Sequence, residues 1–267
     1  MKALPAVLDV GSRQPSVFGV EFSDRSLEQI AASVTESLPP MDGGLRLIAT
    51  MNLDHVVTLR RDESFRTAYR RASLVTADGF PVYLYARWRG AKLAGRVCGS
   101  DLFPIIMGKL QPSRHRPFLV ASSERSQRLL QRHFDKAGFR PDQYAVVVPP
   151  FGFEQDVAAS ESLLQHIEAL RPTHIFMGVG APKSEIWMDR NRDRLGDAYG
   201  FAFGASLDFF VGTAKRAPKV VQSAGFEWLW RFASEPRRLF RRYFIDSWAF
   251  FAVVANDLRH NGKPFAR

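Results

Sequence analysis

The fold class is decided by residues 174–183, which read HIFMGVGAPK. After His174 the first part is continuously apolar, as expected of a strand that is buried on both faces of a parallel sheet. Two glycines follow, and a proline and a lysine then suit the first turn of a helix. We therefore predict a strand at 174–179, a tight turn, and a helix at 183–195.

The same alternation of apolar runs and amphipathic stretches continues on both sides of this unit. The predicted strands are 17–22, 45–49, 73–77, 118–121, 144–148, 174–179 and 199–203. The predicted helices are 26–38, 53–72, 81–89, 126–137, 155–170 and 183–195. Continuous apolar strands that alternate with helices predict an α/β fold, with a Rossmann-like parallel sheet covered by helices on both faces.

The composition favours one α/β core followed by a short appendage. The chain has 267 residues, of which 46% are hydrophobic, and this suits one domain of ordinary size. We divide the chain into a core at 1–224 and a basic, aromatic-rich helical appendage at 225–267. The single cysteine, Cys98, excludes a disulfide framework and favours a reducing compartment.

No stretch of the sequence is expected to direct secretion or to cross a membrane. The N-terminal residues lack an apolar core of signal-peptide length. The longest apolar stretch, 243–255, is interrupted by Asp246 and is shorter than the roughly 20 residues that a bilayer span needs. We therefore expect a cytoplasmic chain that is soluble or lies on a surface.

Positive charge is concentrated at the C-terminal end of the chain. Residues 214–267 carry eleven Lys and Arg against four Asp and Glu, and so account for +7 of the net +10. On charge alone the partner is nucleic acid, phospholipid or a diphosphate, unless the segment is simply solvated. Interleaved aromatic residues suit a membrane-surface helix, and guanidinium groups also match phosphate oxygens. The candidate arginines are Arg231, Arg238 and Arg241.

Ligands of such folds bind beyond the carboxyl ends of the strands. The turn at 178–183 is one candidate, because its glycines allow close approach and the following helix end favours phosphate. The turn is not a P-loop and lacks the third glycine of the dinucleotide fingerprint, so a plain strand-to-helix turn with a solvated lysine is the alternative. The candidates around the two adjoining turns are Gly178, Gly180, Pro182, Lys183, Glu185 and Asp208.

A second group of polar residues follows the N-terminal strands. Asp78 and Gly79 come directly after the strand at 73–77, where a carboxylate can deprotonate a hydroxyl. On the residues alone, an Asp-Gly turn is the simpler explanation. Thr50 and Asn52 can orient sugar hydroxyls or cap the next helix. Arg96 lies in a polar loop before a further helix, which Ser100 or Asp101 can cap.

The sequence offers no obvious metal site. It contains no Asp-x-Asp pair, which often holds a divalent metal against a nucleotide-sugar, and no His or Cys cluster at zinc spacing. If a diphosphate leaves in the reaction, arginine, lysine and helix ends must meet its charge. We therefore predict no metal and no cofactor.

Taken together and in order, these motifs resemble the WecG/TagA/CpsF glycosyltransferases of bacterial surface-polymer synthesis. The resemblance runs from about residue 17 to residue 243. Its carriers are TMN at 50–52, ADG at 77–79, RVCGSDLF at 96–103, GVGAPKSE at 178–185, KRAP at 215–218, EW at 227–228 and EPRR at 235–238.

The resemblance implies an inverting, metal-independent transfer from a UDP-sugar to a polyprenyl-diphosphate-linked glycan at the inner face of the cytoplasmic membrane. It also implies an anionic membrane surface as partner, no nucleic acid, and a possible homo-oligomer. By similarity, Asp78 is the catalytic base. The residues that match the substrate pocket and the appendage arginines are Thr50, Asn52, Arg96, Arg231, Arg238 and Arg241.

Two residues depart from the family pattern. Ser184 stands where glutamine is usual, and Cys98 stands where threonine is common before Gly-Ser-Asp. Ser184 leaves the donor sugar open. Two other classes also remain: a Rossmann-type oxidoreductase or methyltransferase, and a nonenzymatic protein that binds anionic membrane or nucleic acid through its basic end.

Overall fold

The protein is built around a six-stranded parallel sheet with strand order β4-β3-β8-β7-β5-β6, beside a separate two-stranded hairpin of β1 and β2. The computed structural model describes residues 14–41, 44–218, 221, 229–230 and 248–259. The strands are β1 Ser16–Val17, β2 Val20–Glu21, β3 Arg46–Met51, β4 Leu74–Ala77, β5 Pro117–Val120, β6 Ala145–Val147, β7 His174–Met177 and β8 Tyr199–Ala202.

Helices connect the strands and account for most of the remaining described chain. They are α1 Leu27–Thr35, α2 Leu53–Arg61, α3 Glu63–Arg70, α4 Phe80–Trp88, α5 Gly99–Lys109, α6 Glu124–Lys136, α7 Val157–Leu170, α8 Lys183–Arg190, α9 Ser206–Val211 and α10 Trp248–Arg259. The Rossmann-like α/β fold predicted from the sequence is confirmed.

The parallel register brings the carboxyl ends of all six strands to one edge of the sheet. In β3, Thr50 pairs with Thr76 of β4, while Ala49 pairs with Ala202 of β8. On the other side of β8, Met177 of β7 also pairs with Ala202. The predicted site residues after β3, β4, β7 and β8 therefore share one edge.

Helices cover the sheet on both faces. Neighbouring residues of a buried strand accordingly pack into different hydrophobic clusters. Leu47 packs in a cluster with Trp187 of α8 and Leu163 of α7. Its neighbour Ile48 packs in a cluster with Phe103 of α5. This alternation follows from the period of two along a β-strand, and it explains why the central strands are apolar on both faces.

The largest differences between the predicted and the observed elements concern three of them. The strand predicted at 17–22 is a hairpin, because Phe18 (φ 54°) and Gly19 (φ 76°) form a left-handed turn. The helix predicted at 53–72 is two helices, since the Asp62 side chain caps α3 by accepting from the Phe65 amide. Helix α8 ends at Arg190 instead of residue 195, where the Asn191 side chain donates to the Trp187 carbonyl. Helix periodicity does not reveal these side-chain caps.

Helix α10 lies within the predicted appendage and packs on the first part of the chain. Its Val253 is fully buried in a cluster with Phe18 and Val56. The buried Asp257 carboxylate accepts from the Phe18 amide at 2.7 Å, from the Tyr85 hydroxyl at 2.8 Å and from Arg89. Among the helices described, none has the length and hydrophobicity to cross a bilayer.

Candidate active site

Asp78 stands where the ends of β3 and β4 converge. Its amide donates to the Met51 carbonyl at 2.9 Å, and the Gly79 amide donates to the same oxygen at 3.3 Å. A Cβ on Gly79 would lie only 3.2 Å from Cα of Asn52. The absence of a side chain at Gly79 therefore favours close approach of the two strand ends, which brings Asp78 beside Asn52.

The loop before α5 encloses Asp78 from a further side. Arg96 Nη1 donates to the Asp78 carbonyl at 3.3 Å, and Cys98 Sγ donates to it at 3.4 Å. Burial raises the pKa of the Cys98 thiol well above its usual value, and the negative charge of Asp78 raises it further. Cys98 is therefore a neutral thiol that helps to fix the Asp78 backbone, which the sequence did not predict.

Thr50 and Asn52 have structural roles at this point. Thr50 is buried next to Thr76 in the sheet. Asn52 caps α2, since its Oδ1 accepts from the amides of Asp54 at 3.0 Å and His55 at 3.2 Å. The capping alternative considered for Asn52 is thus observed.

The two glycines of the turn after β7 serve different purposes. A Cβ on Gly178 would lie 2.8 Å from the Val120 carbonyl oxygen and 2.8 Å from Leu207 Cδ2. Gly178 therefore permits close packing against the protein's own residues. Gly180 has a φ of 85°, and a Cβ there would meet open space. Gly180 is the glycine that leaves room beside the N-terminus of α8.

Pro182 and Lys183 form the solvent side of this turn. Pro182 precedes the first residue of α8 and provides no side-chain cap. The Lys183 ammonium lies 5.5 Å from the ring centre of Phe151, which is fully exposed. A cation and an aromatic face therefore stand together at the helix N-terminus.

Ser184 and Glu185 point into the protein instead. Ser184 is buried, and its hydroxyl donates to the Gly180 carbonyl at 3.0 Å. Glu185 is 1% exposed, and its Oε2 has no hydrogen-bond partner among the residues that the structure describes. Removal from solvent raises the pKa of Glu185 to about 8. Ser184, which is shorter than the glutamine usual in the family, thus forms a hydrogen bond within the turn.

The turn after β8 links the two groups of residues. A Cβ on Gly204 would lie 3.4 Å from Cα of Gly180, and one on Gly99 would lie 2.9 Å from Phe203. The loop beside Asp78 therefore abuts the turn after β8, which in turn abuts the glycine turn. Strands β3 and β8 lie between β4 and β7. Three strand spacings, about 14 Å, therefore separate the end of β4 at Asp78 from the end of β7 at the glycine turn. Asp78 and the glycine turn share one continuous edge.

Asp208 belongs to a hydroxyl cluster at the same edge. Its carboxylate accepts from Ser122 at 2.8 Å, from Ser126 at 2.5 Å and from Thr213 at 3.1 Å. Ser122 is exposed, whereas Ser126 is buried. The cluster therefore joins the start of α6 to α9 and presents one hydroxyl to solvent.

The motif at 215–218 fastens the chain to α5. Arg216 donates to the Asp101 carboxylate at 2.6 Å and to the Ser100 carbonyl at 3.3 Å. Asp101 is thus an ion-pair partner, and the prediction that Ser100 or Asp101 caps α5 is wrong, because the N-cap is Cys98 and both residues lie within the helix. The candidate arginines Arg231, Arg238 and Arg241 lie outside the described residues.

Comparison with known proteins identifies the family. The sequence model of the glycosyl transferase WecG/TagA/CpsF family matches residues 15–263. The chain belongs to this family.

Two curated proteins of similar sequence come from Staphylococcus aureus. The protein of strain MRSA252 is 23% identical over 229 residues, which cover 84% of this chain and 86% of that protein. The protein of strain MW2 is 22% identical with the same coverage. Both are named N-acetylglucosaminyldiphosphoundecaprenol N-acetyl-beta-D-mannosaminyltransferase.

As a WecG/TagA/CpsF member, the protein is a glycosyltransferase, so the oxidoreductase, methyltransferase and nonenzymatic alternatives are set aside. Within the described part of this family member, no group of three or more His, Cys, Asp or Glu is arranged to hold a metal ion. Phe151 and Ser122 are not among the residues predicted from the sequence. Each directly or closely follows a predicted strand, and that position is the signal that points to them.

Proposed function

We propose that the protein transfers a sugar from a UDP-sugar to a polyprenyl-diphosphate-linked sugar, with inversion and without a metal. Asp78 accepts the proton of the acceptor hydroxyl. That oxygen forms the new bond to the anomeric carbon as the bond from carbon to the UDP oxygen breaks, and UDP leaves with the electron pair. The reaction requires no cofactor.

The observation that carries this proposal is the setting of Asp78. Its backbone is held by Met51, Arg96 and Cys98 at the carboxyl edge of a parallel sheet. Ligands of such sheets bind beyond this edge. A general base must lie within hydrogen-bond reach of the proton that it removes, and a fixed backbone limits the positions that the carboxylate can take.

The cationic side of the same edge supports a diphosphate leaving group. Lys183 lies at the N-terminus of α8, where the helix dipole also favours negative charge. Gly180 leaves open space beside it. The chain has no Asp-x-Asp pair, so we assign charge neutralisation to these groups and to the C-terminal arginines, including Arg231, Arg238 and Arg241.

The acceptor is inferred from the relatives, whose printed name specifies N-acetylglucosaminyldiphosphoundecaprenol. We propose an acceptor of that class, in the synthesis of a cell-wall, capsule or exopolysaccharide polymer. Because Ser184 is turned inward, the donor sugar need not be the N-acetylmannosamine of those relatives. The enzyme acts at the anionic inner face of the cytoplasmic membrane under this proposal.

The central test is Asp78→Asn, with Asp142→Asn as control because Asp142 is exposed and distant in sequence from the site. Loss of a general base is expected to reduce kcat/KM by about 10²- to 10⁴-fold, whereas the control keeps full activity. Turnover is measured with a panel of UDP-sugars and a short polyprenyl-diphosphate N-acetylglucosamine, with and without EDTA.

Thermal unfolding of both variants must match that of the wild-type protein, so that any loss is chemical. Near-full turnover by Asp78→Asn would remove Asp78 as the base. Activity abolished by EDTA and restored by a divalent ion would remove the metal-independent mechanism.

A further inference from the structure

Helix α4 presents an apolar stripe to solvent directly beside Asp78. Phe80, Leu84 and Trp88 are spaced four residues apart, so they lie on one face of the helix. They are exposed to 40%, 49% and 69% respectively. Monomeric proteins expose single apolar residues routinely, but a continuous row on one helix marks an interaction surface.

The stripe is held outward by the packing of the opposite face. Val82 and Ala86 are fully buried in the core beneath α4. Tyr85 donates to the buried Asp257, and its ring stacks on Phe18 with centroids 4.9 Å apart. Helix α4 therefore cannot rotate to bury Leu84 and Trp88 in its own core.

The surroundings of the stripe are positively charged. Residues 79–100 contain no Asp or Glu. Arg87 and Lys92 are exposed, and Arg87 lies 5.9 Å from the Tyr83 ring. Exposed aromatic and aliphatic side chains flanked by cations, with tryptophan at one end, match the boundary between lipid acyl chains and anionic headgroups.

We propose that the stripe of Phe80, Leu84 and Trp88 docks the enzyme on an anionic phospholipid surface. This inference rests on the proposed function, in which the acceptor is embedded in lipid. Phe80 is two residues from Asp78, so insertion of the stripe brings the carboxylate to the level at which the acceptor diphosphate leaves the membrane. The docking face then lies on the α/β core itself, and it acts together with the basic C-terminal segment.

A second copy of the chain fits the stripe less well. A two-fold contact would bring Arg87 and Lys92 of one copy towards those of the other, and residues 79–100 provide no carboxylate to pair with them. Three side chains also form a small patch, whereas stable interfaces bury on the order of 1,200–2,000 Å². An anionic lipid surface complements the positive charge around the stripe, and it can accept a patch of only three side chains.

The test uses the full chain with the double variant Leu84→Gln/Trp88→Gln. The control is Val157→Gln, which replaces an apolar residue that is 84% exposed at the start of α7. Binding is measured by flotation with vesicles of phosphatidylcholine, with and without phosphatidylglycerol. We expect the double variant to lose about 10-fold or more in partitioning to the anionic vesicles, because two apolar groups no longer enter the lipid.

Turnover separates docking from chemistry. With a water-soluble short-chain acceptor, the double variant is expected to match the wild-type protein. With a long-chain acceptor embedded in anionic vesicles, its turnover falls together with binding. A wild-type protein that binds through the stripe but transfers no sugar to either acceptor would refute the proposed function and leave the docking surface supported.

Unchanged vesicle binding by the double variant would overturn the docking proposal. A change of oligomeric mass in sedimentation, with vesicle binding unaltered, would overturn it as well and assign the stripe to a contact between copies of the chain. The Val157→Gln control must bind and turn over as the wild-type protein does.

Discussion

Glu185 lies enclosed beneath the glycine turn, one residue after the inward-pointing Ser184. Its carboxylate is 1% exposed, and burial raises its pKa to about 8 from an ordinary 4.5. A buried carboxyl group that titrates near neutrality holds a proton in the folded protein under conditions where the unfolded chain has lost it. Glu185 therefore makes folding stability depend on pH.

The sign of this dependence follows from the two pKa values. Below about pH 4.5 both states are protonated, and Glu185 contributes no pH dependence. Between about 4.5 and 8 the folded state retains a proton that the unfolded state releases, so stability falls as pH rises. Glu185→Gln is expected to match the wild-type protein at pH 4.5 and to exceed it by several kcal/mol at pH 8.

Urea unfolding of the wild type and of Glu185→Gln at pH 5, 6.5 and 8 measures this difference. Glu124→Gln serves as the comparison, because the Glu124 side chain is 79% exposed. A gap between wild type and Glu185→Gln that does not widen with pH would show that Glu185 is ionised in the folded protein.

At the scale of the element, the strand-turn-helix unit from β7 to α8 needs its two glycines for separate reasons. Gly178 is confined by Val120 and Leu207, whereas Gly180 has a positive φ and an open side. Packing thus requires the glycine at position 178, and backbone conformation favours the one at position 180. The same unit gives the chain its candidate diphosphate site.

Alanine substitutions distinguish these requirements. Gly178→Ala forces a Cβ into the Val120 carbonyl and is expected to reduce the free energy of unfolding by about 1–3 kcal/mol or more. Gly180→Ala imposes a left-handed conformation on alanine, at about 1–2 kcal/mol. Under the proposed function it also raises the KM for the UDP-sugar, since its Cβ occupies the open space.

Chemical denaturation and donor-dependent kinetics of the two variants test this division. Gly138→Ala is the control for Gly180→Ala, because Gly138 also has a positive φ (82°) and open space, but follows α6. Equal KM values for Gly180→Ala and Gly138→Ala would contradict a role of Gly180 in donor binding.

Across the whole molecule, α10 joins the end of the described chain to its beginning. Asp257 is 2% exposed and receives hydrogen bonds from Phe18, Tyr85 and Arg89. Phe18 lies in the β1-β2 hairpin, Tyr85 lies in α4, and Arg89 directly follows α4. The carboxylate therefore holds together the hairpin turn, the helix that bears the apolar stripe, and α10.

Loss of this carboxylate is expected to cost stability well beyond that of a surface ion pair. Asp257→Ala removes the buried carboxylate that accepts from both Arg89 and the Phe18 amide, and about 3–5 kcal/mol of unfolding free energy is lost. Asp142→Ala breaks an exposed pair with Arg140 and is expected to change nothing measurable. Thermal and urea unfolding of both variants measures the contrast, and equal stabilities would mean that α10 is not fastened through Asp257.

The sequence alone is sufficient to predict the alternation of strands and helices, because buried parallel strands are apolar on both faces and the helices between them carry a period of 3.6. It also placed Asp78, Asn52 and Gly180 after strands, where a parallel sheet collects its ligand contacts. These are local properties, and a single sequence displays them.

Which of these residues face solvent and which face the protein depends on how the elements pack in the folded molecule. Ser184, Glu185 and Gly178 share a motif with Gly180 and Lys183, yet they turn inward because α8 packs that face against the sheet. The pairing of Asp257 with Phe18, 239 residues away, depends on contacts that no local pattern encodes. The exposure of Leu84 and Trp88 is likewise a property of the packed molecule, since it depends on which face of α4 the core covers.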